Sequence, residues 1–241
     1  MDPARQAPHA RTLARILDSI EDRFATLGAS PQGLWWPNAR DLALRYEVML
    51  RPLLDAQPAQ RPTLLDFGCG AGFLPDWLAA NGLLDRVDYT GIDISAPVLA
   101  AARARWPGLR FLQADILAAG VPAPLQGGRY DAVLACGIFT CRFANSHAEM
   151  LAYAEASLAA LWRSTRHGLA FNAMSKHVDW EREDLLHWGA DEVMRFCRAQ
   201  LARHVEMRAA YGLWECSFHV WREARQPESR LPAAWRDVAT A

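Results

Sequence analysis

The sequence lacks several features that would assign a function directly. It has five cysteines, an odd number, and no two of them are spaced as Cys-x-x-Cys. Zinc sites and disulfide frameworks need such paired spacings, so we expect reduced thiols, no metal and a cytoplasmic location. No apolar run reaches the about 20 residues of a membrane-spanning helix. The polar first residues also lack the apolar segment of a signal peptide, so we expect no membrane association.

A surplus of charge of one sign is missing as well. The 241 residues include 26 lysines and arginines and 27 aspartates and glutamates, which gives a formal net charge of −1. Without a basic run, nothing indicates the phosphate-contacting groove of a nucleic-acid-binding protein. Apolar residues make up 51% of the chain, which is enough for a sizeable core. The length suits one domain with additions.

Strand and helix patterns alternate along most of the chain, which is typical of a parallel sheet covered by helices on both faces. Two segments after them flank Tyr211-Gly212 and predict an antiparallel pair joined by a tight turn. The predicted strands lie near 63–67, 87–92, 109–113, 130–136, 168–173, 203–210 and 213–222. The predicted helices lie near 72–80, 96–105, 147–164 and 190–202, and Ser146 with Glu149 forms a capping-box pattern before the third of them.

Two amphipathic helices are predicted before the first strand. Apolar residues between Leu13 and Leu27 recur at helical spacing, and a second stripe between Leu42 and Leu53 follows a helix cap at Asn38. We therefore expect residues 1–57 to form a helical cap or lid, 58–223 the core domain and 224–241 a flexible tail.

The first predicted strand runs into the segment Asp66-Phe67-Gly68-Cys69-Gly70-Ala71-Gly72. Glycine allows a sharp turn and a close approach of backbone to a ligand, and the helix after it points amide donors into the turn. Strand, glycine turn and helix are typical of a nucleotide site. A carboxylate before the first glycine suits a cation better than a pyrophosphate, which needs donors. S-adenosylmethionine (SAM), with an ammonium and a sulfonium group, is such a cation.

Two later strands also end in acids. Asp93 lies about 20 residues beyond the last glycine, roughly the interval at which an acidic residue reaches ribose hydroxyls. Asp115 follows the third strand and can accept a hydrogen bond from an adenine amine. Asp also favours solvated turns, but three acids in phase with strand ends favour a nucleoside site.

With these motifs the chain resembles the class I SAM-dependent methyltransferases. The resemblance covers about residues 35–222 and depends on the segments 66–72, 91–95, 114–116 and 130–137. It implies an α/β fold with a doubly wound, seven-stranded, mostly parallel sheet, helices on both faces and the last strand antiparallel. It also implies a SAM-dependent transferase.

The resemblance further implies which residues hold the cofactor. The glycine turn should hold the methionine half of SAM, Asp93 the ribose, and Asp115 with the Ile116 amide the adenine. A subgroup of the family has an aromatic turn and an Arg-aromatic pair before the core, which suggests that Trp36 and Arg45 help to hold the methionine carboxylate. The expected cofactor residues are Trp36, Arg45, Asp66, Gly68, Cys69, Gly70, Gly72, Asp93, Ile94, Asp115, Ile116, Cys136 and Gly137.

The methyl acceptor is expected near the segments that follow the fourth and fifth strands. His177 is a candidate general base because its pKa range fits, although a loop histidine is more often simply solvated. The catalytic residues are otherwise unknown from the sequence. The expected acceptor-pocket residues are Trp35, Tyr46, Phe139, Thr140, Asn172, Ser175, Trp180 and Tyr211.

Several functions stay open at this point. We expect methyl transfer to a small-molecule acceptor by in-line displacement. A nucleic-acid or protein methyltransferase is an alternative, although residues 135–140 lack the Asn/Asp-Pro-Pro-aromatic clamp used for exocyclic amines. A SAM-binding regulator without catalysis is another. Asp66 and the glycine spacing disfavour a dehydrogenase.

Overall fold

Seven strands form one sheet in the order β3-β2-β1-β4-β5-β7-β6. The structure is a computed structural model that describes residues 6–56, 61–118 and 130–225. Strands β1 to β5 run parallel, whereas β7 runs antiparallel to both β5 and β6, which confirms the predicted sheet with its reversed last strand. The strands are β1 (Thr63–Phe67), β2 (Asp88–Asp93), β3 (Arg110–Gln113), β4 (Tyr130–Ala135), β5 (Thr165–Met174), β6 (His204–Arg208) and β7 (Glu215–Trp221).

Helices cover both faces of the sheet. They are α1 (Gln6–Leu27), α2 (Ala39–Asp55), α3 (Phe73–Ala80), α4 (Ala96–Arg105), α5 (His147–Arg163) and α6 (Ala190–Phe196). The segment predicted as one helix over 190–202 is α6 followed by a π-helical turn, Cys197–Leu201. Most of the tail expected over 224–241 lies outside the described residues.

Local capping signals begin the helices where the sequence predicts. The side chain of Asn38 accepts a 2.8 Å hydrogen bond from the backbone N–H of Asp41 at the start of α2. Ser146 and Glu149 form the predicted capping box at the start of α5. Each pair satisfies amide donors that the first turn of a helix leaves unpaired.

The core has two layers because successive strand residues point to opposite faces. Leu65 in β1 and Val133 in β4 pack under α1, α5 and α6. Leu64 and Leu134, their neighbours along the same strands, pack under α2, α3 and α4. Within the described ranges, no helix combines the length and apolarity needed to cross a bilayer.

Candidate cofactor site

A cavity opens at the carboxyl ends of β1, β2 and β4. Its lining is mostly apolar with a few polar groups, which is typical of a small-molecule site. In a doubly wound sheet, ligands bind at this edge, where the strand order reverses. The expected cofactor residues that line the cavity are Trp36, Asp66, Gly68, Cys69, Gly70, Asp93, Ile94, Asp115, Ile116, Cys136 and Gly137.

Asp66 is a buried carboxyl group at the end of β1. Only 4% of the residue is exposed, and the hydroxyl of Tyr89 donates a 2.8 Å hydrogen bond to its Oδ2. Burial raises the pKa of Asp66 to about 7; the Tyr89 hydrogen bond opposes this shift and the nearby Asp93 adds to it. A buried carboxylate that is costly to ionise is stabilised by a cationic group bound beside it.

The glycine turn is tied to the end of β2. The backbone N–H of Gly70 donates to Oδ2 of Asp93 at 2.9 Å, and the N–H of Ser95 donates to Oδ1 at 3.0 Å. Burial raises the pKa of Asp93 despite these donors. Gly70 has a φ of +55°, and a Cβ there would lie 2.8 Å from Cδ1 of Leu34. The left-handed backbone conformation therefore favours glycine, whereas the end of the Leu34 side chain could shift away from a Cβ.

The third acid lies at the far side of the cavity, after β3. Asp115 is half-buried, and its Oδ1 accepts a 2.8 Å hydrogen bond from the N–H of Leu117. Ile116 is 4% exposed, and Ile94 is partly buried. Together they present two apolar side chains and a carboxylate, which suits a flat heterocycle that carries an amine.

The backbone after β4 is held tightly at Gly137. Its N–H donates to Oδ1 of Asn172 at 2.7 Å, and its carbonyl accepts a hydrogen bond from the Thr140 hydroxyl at 2.9 Å. Gly137 has a φ of +77°, and a Cβ there would lie 2.2 Å from the Trp36 ring. The ring of Trp36 therefore packs directly on this glycine, and both form part of the cavity wall.

Two expected cofactor residues do not line the cavity. Arg45 is bound by Glu215, with distances of 3.0 Å from Nε to each carboxylate oxygen and 2.8 Å from Nη2 to Oε2. Cζ of Arg45 lies 5.1 Å from the ring centroid of Trp36. Arg45 therefore contacts a residue of the cavity wall but does not itself face the cavity. Gly72 begins α3, and a Cβ there would meet Trp106 and Ala102.

The expected acceptor residues divide in the same way. Trp35, Tyr46 and Thr140 line the cavity. Phe139 does not, because its fully buried ring packs between those of Phe67 and Phe171 at 6.4 and 6.5 Å.

The segment after β5 lies apart from the cavity. His177, the candidate base, is exposed and does not line the cavity, and its backbone N–H donates to the hydroxyl of Ser175. The side chain of Asn172 is fully buried in hydrogen bonds with protein groups. Ser175, Trp180 and Tyr211 also lie outside the lining, so the structure does not bring this part of the expected acceptor pocket to the cavity.

Helix α1 contributes cavity residues that the sequence did not indicate: Leu13, Ile16 and Ile20. Their helical spacing predicted an apolar face but not what that face covers. Ser95 donates a 2.9 Å hydrogen bond to Glu21, which ties α1 to the start of α4. Arg15 contacts both Asn145 and Glu149 at 3.1 Å, which ties α1 to the start of α5.

An aromatic contact between Trp35 and Phe143 also borders the cavity. Both side chains line it, and their rings meet edge to face at 5.6 Å. Both residues have positive φ angles, +66° and +48°. Such backbone conformations are strained for bulky residues and concentrate at functional sites.

Comparisons with known proteins identify the family of the chain. A family model described as "Methyltransferase domain" matches residues 65–167. Rv1506c of Mycobacterium tuberculosis, which is designated a methyltransferase, is 33% identical over 152 residues, covering 62% of this chain and 87% of the relative. A trans-aconitate 2-methyltransferase of Paracidovorax citrulli is 48% identical over 61 residues, 25% of this chain and 22% of that protein.

Solved methyltransferase structures share the fold. The CurJ carbon methyltransferase superimposes with a TM-score of 0.54 at 15% identity, covering 93% of this chain and 72% of that chain. SAM-bound CalS10 of Micromonospora echinaspora, an amino pentose methyltransferase, gives 0.51 at 18% identity, covering 77% and 90%. The chain belongs to the class I SAM-dependent methyltransferases. It is a SAM-dependent methyltransferase enzyme, and SAM is its cofactor.

Proposed function

We propose that the enzyme transfers the methyl group of SAM to a small-molecule acceptor by in-line displacement. The observation that supports this most is the composition of the cavity wall, to which α1 and the Trp35–Phe143 contact add apolar side chains. Its lining is largely apolar, and its charged groups are the carboxylates of Asp66, Asp93 and Asp115. We assign these three acids to SAM, and the other residues that line the cavity are uncharged, so the lining offers no cation to a phosphate backbone.

We assign the cofactor residues as follows. Asp66 faces the ammonium group of SAM, Asp93 accepts from the ribose hydroxyls, and Asp115 accepts from the adenine amine. Ile94 and Ile116 pack against the adenine. The backbone of Gly68, Cys69 and Gly70 lies along the methionine half, and Cys136 and Gly137 lie beside its amino-acid end.

The cofactor supplies the methyl group together with a good leaving group, because the sulfonium becomes a neutral thioether. The main task of the protein is then to align the acceptor and exclude water, and such orientation can lower a barrier by about 7–11 kcal/mol. A general base is needed only if the acceptor atom is protonated at neutral pH.

We also propose that the enzyme works in the cytoplasm. All five cysteines are free thiols in the structure, and four of them are buried. Free thiols in this number are typical of a reducing compartment.

The proposed acceptor class is tested by separating a cell extract into metabolite, protein and nucleic-acid fractions. Each fraction is incubated with the enzyme and SAM, and the release of S-adenosylhomocysteine (SAH) is measured. We expect release with the metabolite fraction, and none when Gly70→Val replaces the native enzyme. Release only with protein or nucleic acid, or with no fraction, would contradict a small-molecule acceptor.

A further inference from the structure

A chain of buried hydrogen bonds connects Arg45 to the wall of the cavity. Arg45 donates to both carboxylate oxygens of Glu215. Oε1 of Glu215 also accepts from the side-chain amide of Asn172 at 2.9 Å, and Oδ1 of Asn172 accepts from the N–H of Gly137 at 2.7 Å. We call Arg45, Glu215, Asn172 and Gly137 the buried hydrogen-bond chain.

The buried hydrogen-bond chain is costly to place in the interior of the protein. Glu215 is 2% exposed and Asn172 is fully buried. Nη1 of Arg45 is buried and has no hydrogen-bond partner within the described residues. Burying an ion pair costs desolvation energy that the pair itself often fails to recover, and an unsatisfied donor adds to that cost. Stability alone is therefore a weak explanation for the arrangement.

The position of the buried hydrogen-bond chain provides a better explanation. It ends at Gly137, whose carbonyl is held from the other side by Thr140, so the whole peptide unit is fixed. Trp36 packs on Gly137 without room for a Cβ, and the guanidinium of Arg45 lies over the same ring. Gly137 and Trp36 form the cavity wall near Asp66, which is the end that we assign to the amino-acid part of SAM.

We propose that Glu215 and Asn172 are positioning residues, which together with Arg45 fix Gly137 and Trp36 at the amino-acid end of the cofactor site. Neither residue lines the cavity, so each acts through its neighbours in the buried hydrogen-bond chain. This inference rests on the proposed assignment of the cofactor residues.

The test compares two ligands that share the adenosine part. SAH has the amino-acid end, and 5′-methylthioadenosine lacks it. Dissociation constants are measured by calorimetry for native enzyme, Asn172→Ala, Glu215→Ala and Glu215→Gln. We expect the two alanine variants to bind SAH about tenfold more weakly, which is the loss expected for a buried charged network. Their affinity for 5′-methylthioadenosine should be about that of native enzyme. Glu215→Gln keeps an acceptor oxygen for Asn172 but places an NH2 group, which cannot accept, against Arg45, so its SAH affinity should lie between those of Glu215→Ala and native enzyme.

Thr165→Ala is the matched control, because it removes a buried hydroxyl at the opposite end of the strand that carries Asn172, where it donates to the carbonyl of Leu161. It should leave both affinities unchanged. If the variants weaken both ligands equally, or weaken neither, the positioning role is overturned. If native enzyme binds 5′-methylthioadenosine but not SAH, the assigned ligand orientation fails instead. If it binds neither ligand, the proposed function itself fails.

Discussion

Tyr89 donates its hydroxyl hydrogen to Asp66 at 2.8 Å, and both residues are buried in the middle of the sheet. The hydrogen bond favours the ionised form of the carboxyl group, but burial outweighs it and raises the pKa of Asp66 to about 7. The charge of the residue that we place beside the ammonium group of SAM therefore changes near neutral pH.

This relationship predicts that SAH affinity depends on pH. Below pH 7 Asp66 is mostly neutral, and above pH 7 it is mostly a carboxylate that attracts the ligand's ammonium group. Between pH 5.5 and 7.5, below the usual α-amino pKa of about 7.7–8.0, we expect SAH affinity to rise about tenfold. Calorimetry measures this, and 5′-methylthioadenosine, which has no ammonium group, is the control. A flat SAH profile would place the ammonium elsewhere.

The same carboxyl group predicts a change in stability. A folded-state pKa above the unfolded value means that stability from the protonated form is lost as pH rises toward 7. The Asp66→Asn variant cannot ionise at this position, so its stability does not follow this loss. The unfolding free energy of Asp66→Asn minus that of the native protein should therefore increase by roughly 1–3 kcal/mol between pH 5 and pH 8 and then stay constant. Urea titrations at both pH values measure the difference. A constant advantage would show that Asp66 titrates normally.

Asp93 offers a prediction about the ribose. We expect Asp93→Ala to weaken SAM binding by about 1–3 kcal/mol, the cost of losing charged hydrogen bonds. Asp88→Ala is the matched control, because Asp88 is an exposed acid at the opposite end of β2. Equal affinities for Asp93→Ala and native enzyme would show that this acid does not bind the ribose.

Valine substitutions at Gly70 and Gly82 distinguish the effect of backbone strain from the effect of a side chain placed at the cavity. Both have positive φ angles, +55° and +65°, but a Cβ at Gly70 would meet Leu34 whereas nothing lies within 4 Å of one at Gly82. Substitution by valine should lower the unfolding free energy of each variant by about 1–2 kcal/mol or more, because both positions have a left-handed backbone conformation. Only Gly70→Val should lose SAM binding, as measured by calorimetry on folded protein. Retained binding would argue against a close backbone approach to the cofactor.

Helix α1 predicts a change in hydrogen exchange. We propose that it is part of a lid, since three of its apolar residues line the cavity. A bound cofactor would contact them, so SAH should slow amide exchange across residues 13–36. Helix α6 contributes no cavity residue and serves as the internal control. Exchange that is equal with and without SAH in residues 13–36 would contradict the lid.

The fold was predictable because its signals are local. Each strand end, glycine turn and helix cap is encoded within a few residues, as at Asn38 and Ser146. The start of β5 was missed by three residues, since Arg166 and His167 are polar and gave no strand pattern. They lie at an irregularity in the pairing with β4, between the Thr165–Tyr130 and Gly168–Ala132 pairs, and Arg166 forms an ion pair there with Asp131.

The site was predictable only where it follows from strand ends. The three acids approach one cavity because parallel strands finish at the same edge. The partner of Arg45 lies 170 residues away in the sequence, and no local pattern indicates such a pairing. Helical periodicity likewise showed that α1 has an apolar face, while only the tertiary structure shows that this face covers the cavity.

The reversal of β7 has a consequence for biosynthesis. Because this strand runs against the others, its first residue, Glu215, lies at the edge where β5 ends and pairs there with Met174. While the chain is still on the ribosome, Gly137 and Trp36 therefore lack the support of Glu215 until nearly all of the sheet has been translated. On the role that we propose for Glu215, cofactor capture becomes efficient only once β7 has joined the sheet.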